Sequence, residues 1–254
     1  MSFRKTRSFS VLYMFILSAI FAGVISLVKV GTAEQIQDND RIAASKSLVR
    51  VFELMEITPA TTGAELAAAI EKQVRKFWVV EGAAGPELVS TQPSADTQVL
   101  YRMWAAVDES GAPFAYAFPI GGKGFWGPIQ GLMSVETDFI TIRTVVWTKH
   151  SETPGLGARI EEDQYRAKFR GKRADNPAAH RFQVVPDGTM GNDPHKIDQI
   201  TGATQTTVVG MGKFLNDNFT DWHRYYPLLK QHFGAPAPAN EPETQQPTAN
   251  DGQE

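Results

Sequence analysis

The chain has 254 residues, of which 42% are hydrophobic and 21% are charged, and its formal net charge is -3. This is the composition of a globular protein with one sizeable core, and the lack of a basic surplus argues against nucleic acid as a partner. The sequence contains no cysteine, which excludes disulfides, thiolate metal sites and cysteine nucleophiles.

The N-terminus carries the pattern of a membrane anchor. Basic residues within the first seven positions precede an uncharged, apolar run from Ser8 to Val28. As a helix rising about 1.5 Å per residue, this run reaches roughly 30 Å, enough to cross a bilayer core. We predict a retained anchor over residues 1–33, with a signal peptide cleaved near Gly31-Thr32-Ala33 as the alternative. The basic residues place the N-terminus in the cytoplasm and the rest of the chain outside it.

Residues 34–97 are predicted to form a helical lead-in region. A polar linker, Glu34–Asp40, is followed by a loosely helical pattern from Ile42. A clearer helix begins at Thr62, because apolar residues then recur on one helical face. These residues are Leu66, Ile70, Val74 and Phe77.

Residues 98–234 are predicted to form an α+β domain with a mostly antiparallel sheet and packed helices. A run over 99–107 alternates, a turn signal follows at 108–111, and Phe114–Ile120 completes a hairpin. Two further strands are predicted over 130–136 and 139–148. The remaining residues, 235–254, show no hydrophobic periodicity and are predicted to be a disordered tail.

Two glycine-rich loops carry residues that are unusual for core packing. The segment Gly121–Pro128 joins a lysine to two aromatic residues, and the segment His150–Gly157 directly follows a predicted strand. Structural alternatives exist for both loops. Phe125 and Trp126 could serve as hydrophobic plugs in a tight strand connection, and the threonine or glutamate of the second loop could cap a following helix.

A third segment, residues 198–204, reads Asp-Gln-Ile-Thr-Gly-Ala-Thr and precedes a helix-like stretch. Glycine beside small residues lets the backbone approach a bulky group, and the N–H groups of a helix N-terminus bind phosphate. The segment is therefore a candidate site for a phosphoryl group. The five histidines show no metal-ligand spacing, and no Gly-x-Ser-x-Gly elbow supports a hydrolase.

Three motifs in this order resemble a known family. Gly-Lys-Gly-Phe-Trp (122–126), Glu-Thr-Pro-Gly-Leu-Gly (152–157) and Asp-x-x-Thr-Gly-Ala-Thr (198–204) are similar to those of the FMN-binding domain. This domain is shared by the C subunit of the sodium-translocating NADH:quinone reductase and the G subunit of the Rnf electron-transport complex. The resemblance covers roughly Leu100 to Phe219, and the first motif together with Tyr165–Lys172 resembles the reductase C subunit more closely.

The resemblance implies a covalently attached cofactor. In this family a flavin transferase moves FMN from FAD onto the last threonine of the motif, which implies a phosphoester between FMN and Thr204. Asp198 and the turn formed by Thr201, Gly202 and Ala203 would be the recognition sequence of the transferase. A helix beginning near Thr204 would offer N–H donors and a favourable dipole to the remaining phosphate charge.

The same resemblance implies roles for the two loops. Trp126 would stack on or edge against the isoalloxazine ring, and Lys123 would compensate negative charge on the reduced flavin. Thr153 and Leu156 would line the opposite side of the ring. No side chain is required as an acid or base, because the redox chemistry belongs to the cofactor.

The implied function is electron relay within a sodium-translocating NADH:quinone reductase, with no complete reaction catalysed by this chain alone. The expected location is the bacterial inner membrane, with a single span and the soluble domain in the periplasm. The expected partners are the other membrane subunits of the complex and the flavin transferase. Alternatives are an Rnf-type G subunit, a stand-alone periplasmic FMN carrier, and a scaffold module that has kept the fold and lost the flavin.

Overall fold

A six-stranded sheet is the central element of the structure, a computed structural model that describes residues 7–200 and 205–234. The elements in chain order are α1 (Arg7–Gly31), α2 (Ala33–Phe52), α3 (Gly63–Gln73), β1 (Val74–Gly82), β2 (Gly85–Val89), β3 (Val99–Val107), β4 (Pro113–Lys123), β5 (Pro128–Val135), β6 (Ile142–Lys149), α4 (Asp163–Ala167), β7 (Gln183–Val185), β8 (Lys196–Asp198) and α5 (Gln205–Phe233). A 3-10 helix, Gly157–Glu161, lies between β6 and α4.

The strand order in the main sheet is β2-β1-β3-β4-β5-β6, and each neighbouring pair is antiparallel. Strands β7 and β8 form a separate, short parallel pair. The predicted α+β class with a mostly antiparallel sheet is therefore confirmed. The predicted hairpin over 99–120 corresponds to β3 and β4, and the next two predicted strands correspond to β5 and β6.

Helices cover both faces of the sheet. In β4, Tyr116, Phe118 and Ile120 point toward the core that includes α5, whereas Ala115 and Ala117 point toward the core shared with α2 and α3. This alternation follows the two-residue period of a strand. Large side chains fill the α5 face, while alanines allow α2 and α3 to pack closely on the other face.

One buried hydrogen bond joins α2 to the sheet, and a capping box begins α3 on the same face. The hydroxyl of Ser134 in β5 donates a buried hydrogen bond of 2.6 Å to the carbonyl of Val51 in α2. The N-terminus of α3 has a capping box, in which the Thr62 side chain accepts from the Glu65 N–H and the Glu65 side chain accepts from the Thr62 N–H. The helix start predicted at Thr62 is thus confirmed.

The predicted extension of this helix to Phe77 is wrong. Helix α3 ends at Gln73, and Val74 and Phe77 lie in β1, which pairs with β2 on one side and β3 on the other. The four-residue spacing suggested a helix, but the segment is rich in β-branched and aromatic residues, and pairing on both edges decides its structure. The lead-in region 34–97 is therefore not helical throughout, since residues 74–89 contribute two strands to the main sheet.

The predicted polar linker Glu34–Asp40 is also wrong, because these residues lie inside α2. Helical hydrogen bonds continue through the junction: the Thr32 N–H donates to the Val28 carbonyl, and the Ile36 N–H donates to the Thr32 carbonyl. The segment contains neither proline nor glycine, and polar residues on an exposed helix do not oppose helix formation.

One helix in the described part of the chain, Phe9–Gly31, is long and apolar enough to cross a membrane. Its large apolar side chains are exposed, as expected for a helix that does not pack into the core. A signal sequence would meet the same criterion, so both alternatives drawn from the sequence remain. The predicted tail, 235–254, lies outside the described residues.

Candidate functional site

The turn between β4 and β5, residues 124–127, carries the first motif and is here called the tip loop. Its ends are joined by pairing of Lys123 with Pro128 and by a 2.8 Å hydrogen bond from the Gly124 N–H to the Gly127 carbonyl. A Cβ atom at Gly124 would lie only 2.8 Å from that carbonyl oxygen and 2.8 Å from a side-chain carbon of Ile129. Glycine is therefore required for the tightness of this loop.

Residues 150–157, here called the Glu152 loop, run beside the tip loop. The Glu152 side chain is buried, and its Oε1 accepts hydrogen bonds of 2.8 Å from the Phe125 N–H and 3.2 Å from the Trp126 N–H. The Glu152 N–H in turn donates to Nδ1 of His150 at 3.2 Å. A single carboxylate thus joins two loops that are distant in sequence.

A second bond joins the loops at the surface. The indole N–H of Trp126 donates to the Thr153 hydroxyl at 2.9 Å, and the rings of Phe125 and Trp126 meet edge to face at 4.9 Å. Phe125 is 44% exposed, Trp126 67% and Leu156 42%. The hydrophobic-plug alternative is wrong, because these aromatic side chains face solvent.

The capping alternative for the Glu152 loop is wrong as well. The following 3-10 helix has no side-chain cap; instead, the Thr153 carbonyl accepts from the N–H groups of Leu156 and Ala158, both at 3.1 Å. The side chains of Glu152 and Thr153 bond to the tip loop instead of to the helix that follows them.

The N-terminal half of α5 packs against the end of β4, which leads directly into the tip loop. A Cβ atom at Gly210 would lie 3.1 Å from the Lys123 carbonyl oxygen, and the Asn218 side-chain amide donates to the Gly121 carbonyl at 2.8 Å. At Gly122, a Cβ atom would overlap the side chain of Phe214. Glycines on both elements therefore bring the N-terminal part of α5 against the end of β4.

Asp198 ends β8 and is buried. Its Oδ1 accepts from the N–H groups of Thr189 and Met190 at 3.0 and 2.9 Å, and the next residue, Gln199, donates its N–H to the Val185 carbonyl at 2.7 Å. The carboxylate thus organises the chain that leads into the third motif. Thr201, Gly202, Ala203 and Thr204 lie outside the described residues, and α5 begins at the next residue, Gln205.

One cation lies close to the entry of the third motif. The ammonium group of Lys168 is 3.5 Å from the Gln199 carbonyl oxygen, 3.6 Å from a carboxylate oxygen of Asp187 and 5.9 Å from the centre of the Tyr165 ring. The Tyr165 hydroxyl donates to the sulfur of Met211 in α5 at 3.2 Å, and burial raises the pKa of Tyr165, so that it stays a neutral donor.

The structure brings several of the predicted residues together. Trp126 and Thr153 are in direct contact, Leu156 lies in the same loop as Thr153, and Lys123 is exposed at the end of β4 beside α5. The carboxylate of Asp198 bonds to the chain at 189–190 rather than to these loops.

Two further residues of the site were not identified from the sequence. Glu152 had no signal beyond its place in the second motif, where it looked like a capping residue. Lys168 had none beyond its place in the segment Tyr165–Lys172. Glu152 is revealed by its burial and by its hydrogen bond with the Phe125 N–H. Lys168 is revealed by its proximity to the Gln199 carbonyl.

The segment that carries these loops is similar to a known class of flavin-binding domain. The family described as "FMN-binding domain" matches residues 124–213, a range that includes the tip loop, the Glu152 loop, Asp198 and the first turns of α5. The predicted resemblance to this family is thus confirmed. An exposed aromatic ring and an exposed aliphatic side chain on two neighbouring loops suit a flat ring.

Among characterised proteins, the chain is similar to the C subunit of the Na(+)-translocating NADH-quinone reductase. The relative from Yersinia pestis is 37% identical over 117 residues, 44% of this chain and 42% of the relative. The one from Pasteurella multocida is 28% identical over 170 residues, 66% of this chain and 60% of the relative. The chain thus spans about half the length of the curated relatives that it matches.

A solved structure shows the same fold. The crystal structure of NqrC from Shewanella oneidensis superimposes with a TM-score of 0.60 and 20% sequence identity, covering 77% of this chain and 98% of that one. This likeness extends across the sheet, including strands that precede the family match.

Proposed function

We propose that this protein is a membrane-anchored flavoprotein that carries FMN on Thr204 and relays electrons within an NADH:quinone reductase of the sodium-translocating type. One observation carries the proposal: the tip loop contacts the Glu152 loop, and the end of β4 that leads into it packs against α5, in the region that matches the FMN-binding domain. The similarity to the reductase C subunit supports the choice of complex.

The start of α5 supports the phosphoester at Thr204. This 29-residue helix begins at Gln205, so the oxygen of Thr204 would carry the phosphoryl group at a helix N-terminus. Unpaired backbone N–H groups and the helix dipole stabilise a phosphodiester charge there. Lys168 supplies a nearby cation at the entry of the motif.

The two loops would hold the ring of the flavin. Bound FMN supplies the redox chemistry, and this chain supplies the position and surroundings of the ring. The indole of Trp126, fixed by Thr153, offers a flat contact surface, and Leu156 offers an aliphatic one. Lys123 would place positive charge beside the ring.

The remaining parts of the proposal concern location and partners. Residues Phe9–Gly31 would anchor the chain in the bacterial inner membrane, and the basic residues before them favour a periplasmic position for the soluble domain. The other subunits of the reductase would deliver and accept the electrons. A flavin transferase would attach the FMN, with Asp198 and residues 201–203 as its recognition sequence.

The test of the proposal is flavin attachment in the full chain. Co-expression with a flavin transferase should give a mass increase equal to one FMN less one water, together with ultraviolet fluorescence of the denatured band in a gel. Thr204→Ala should lose both signals completely, because it removes the side-chain oxygen that would form the phosphoester with FMN.

Matched controls are Thr206→Ala and Thr207→Ala, which remove neighbouring hydroxyls and should leave attachment unchanged. A wild-type chain without bound flavin, or a Thr204→Ala chain that still carries it, would refute the assignment. Co-purification of the tagged wild-type chain with the other reductase subunits tests the choice of complex, since a stand-alone carrier would purify without them.

A further inference from the structure

Glu152 has the contacts of a residue that determines where the flavin ring is held. We propose that Glu152 is a positioning residue. The hydrogen bonds from the tip-loop N–H groups to its carboxylate, here called the lock, hold the tip loop against the Glu152 loop, so that Trp126 and Thr153 form one rigid surface for the ring. The role toward the ring rests on the proposed function. The lock itself is a property of the flavin-free chain.

The hydrogen bonds indicate that the lock acts on the backbone. Oε1 of Glu152 accepts from the N–H groups of both Phe125 and Trp126, and these two residues follow each other in a loop whose side chains are exposed. Both bonds end on one side-chain oxygen, so the position of that oxygen fixes two successive backbone N–H groups. Exposed side chains contribute little to holding such a loop, so its conformation depends on its backbone contacts.

Close packing against two glycines restricts the position of the Glu152 carboxylate. A Cβ atom at Gly157 would lie 2.6 Å from Oε2 of Glu152, and one at Gly124 would overlap Oε1. The two loops therefore each place a glycine directly against the same carboxylate. A larger residue at either position would displace it.

The Glu152 backbone is fixed from the other side. Its N–H donates to Nδ1 of His150, and Nε2 of the same imidazole lies 3.0 Å from a carboxylate oxygen of Glu161. The adjacent residue, Thr153, holds the Trp126 indole. One short stretch of chain thus controls both the backbone and the ring of Trp126.

The length of the side chain can be separated from its charge. Glu152→Gln keeps the length and an acceptor oxygen but loses the charge, whereas Glu152→Asp keeps the charge but is one methylene shorter. If Glu152 acts by position, glutamine should preserve the lock and aspartate should break it. Glu152→Ala removes the acceptor altogether, and Glu162→Ala is the matched control, because that nearby glutamate pairs with Arg159 instead.

The first measurement is hydrogen exchange by mass spectrometry on the full chain in detergent, expressed without flavin transferase. Exchange of the peptide that contains the tip loop should accelerate at least about tenfold in Glu152→Ala and Glu152→Asp, and stay within about threefold of wild type in Glu152→Gln and Glu162→Ala. Unchanged exchange in Glu152→Ala would overturn the inference. If circular dichroism shows that Glu152→Ala does not fold, the exchange rates of Glu152→Asp and Glu152→Gln are compared instead, and equal rates in these two variants would overturn the inference.

The second measurement uses the chain carrying FMN. The visible circular dichroism of the flavin should change in Glu152→Asp and match that of the wild type in Glu152→Gln. Mass spectrometry should show the same amount of attached FMN in both variants. Identical spectra in all variants would refute the role toward the ring and leave attachment at Thr204 intact. A wild-type chain without FMN would instead refute the proposed function, and the exchange experiment would still decide on the lock.

Discussion

Trp126 and Trp222 mark two regions in which the same side chain has opposite surroundings. Trp222 in α5 is fully buried, donates its indole N–H to the Phe139 carbonyl at 2.8 Å, and stacks on Phe118 with ring centres 4.4 Å apart. Trp126 in the tip loop is 67% exposed and donates its indole N–H to Thr153 at 2.9 Å. Both indoles have a partner for the N–H, but only Trp222 removes its ring from water.

The difference in exposure between Trp222 and Trp126 distinguishes a region that stabilises the fold from the candidate functional site. Burial of an aromatic ring contributes several kilocalories per mole to folding, whereas an exposed ring contributes little. Trp126 is held in place by polar contacts at its edges, which leave its apolar surface available. The region around Trp222 therefore stabilises the fold, and the region around Trp126 has an exposed ring surface, which our proposal assigns to the flavin.

The largest expected change in the free energy of unfolding follows from removing the buried indole of Trp222. Trp222→Ala should lower the free energy of unfolding by about 3–5 kcal/mol, because it leaves a cavity under the sheet and an unpaired Phe139 carbonyl. Trp126→Ala should change it by less than about 1 kcal/mol. Chemical unfolding of both full-length variants in detergent, followed by far-ultraviolet circular dichroism, measures these changes.

Flavin spectroscopy should give the opposite ranking for this pair. Trp126→Ala should keep wild-type stability and FMN attachment but alter the visible circular dichroism of the flavin. If Trp126→Ala destabilises the chain as much as Trp222→Ala, then the exposed tip loop is a structural element, and the distinction between the two regions fails.

A smaller loss of stability is expected from a substitution at the end of β4, which packs against α5 and leads into the tip loop. Gly122→Ala places a methyl group against the Phe214 side chain and should cost about 1–3 kcal/mol, because α5 must move away from the end of β4. Gly127→Ala is the control, since its Cβ would meet only Ser151 at 3.4 Å. The same unfolding assay measures both, and equal stabilities would show that α5 and the tip loop are not tightly coupled.

The smallest effect concerns the bond between the two loops at the surface. Thr153→Val removes the acceptor of the Trp126 indole N–H, but water can replace it at an exposed site, so the stability should change by less than about 0.5 kcal/mol. The indole should nevertheless become more mobile. Fluorine NMR of 5-fluorotryptophan-labelled chain, with Trp126→Phe to assign the signal, should show a narrowed and shifted resonance for Trp126. An unchanged resonance would mean that Thr153 does not fix the ring.

Local signals in the sequence predicted most of the architecture. The alternation in 99–107, the turn after it and the helix start at Thr62 are short-range patterns, and each appears in the structure as expected. The sequence failed where neighbours in space decide, as at Phe77, whose helical spacing was overridden by strand pairing on both sides of β1. At Glu34–Asp40 the error came from equating polarity with a linker.

For the candidate site, the sequence indicated which loops matter but not how they meet. Trp126 and Thr153 were both predicted, yet nothing in their spacing indicated a direct hydrogen bond across 27 positions of sequence. Glu152 was missed because a glutamate in a turn-rich loop looks like a capping residue, and only burial reveals its role as an acceptor for the tip loop. The attachment at Thr204 stays a prediction.

The sequence by itself determined the anchor-like apolar helix, the α+β class and the three motifs that resemble those of the FMN-binding domain, because these depend on composition and on order along the chain. Only the tertiary structure decided that the tip loop and the Glu152 loop share one buried carboxylate, that Trp126 faces solvent, and that the sheet begins before residue 98. These features arise from contacts between segments far apart in sequence, and such contacts leave no periodic pattern in either segment alone.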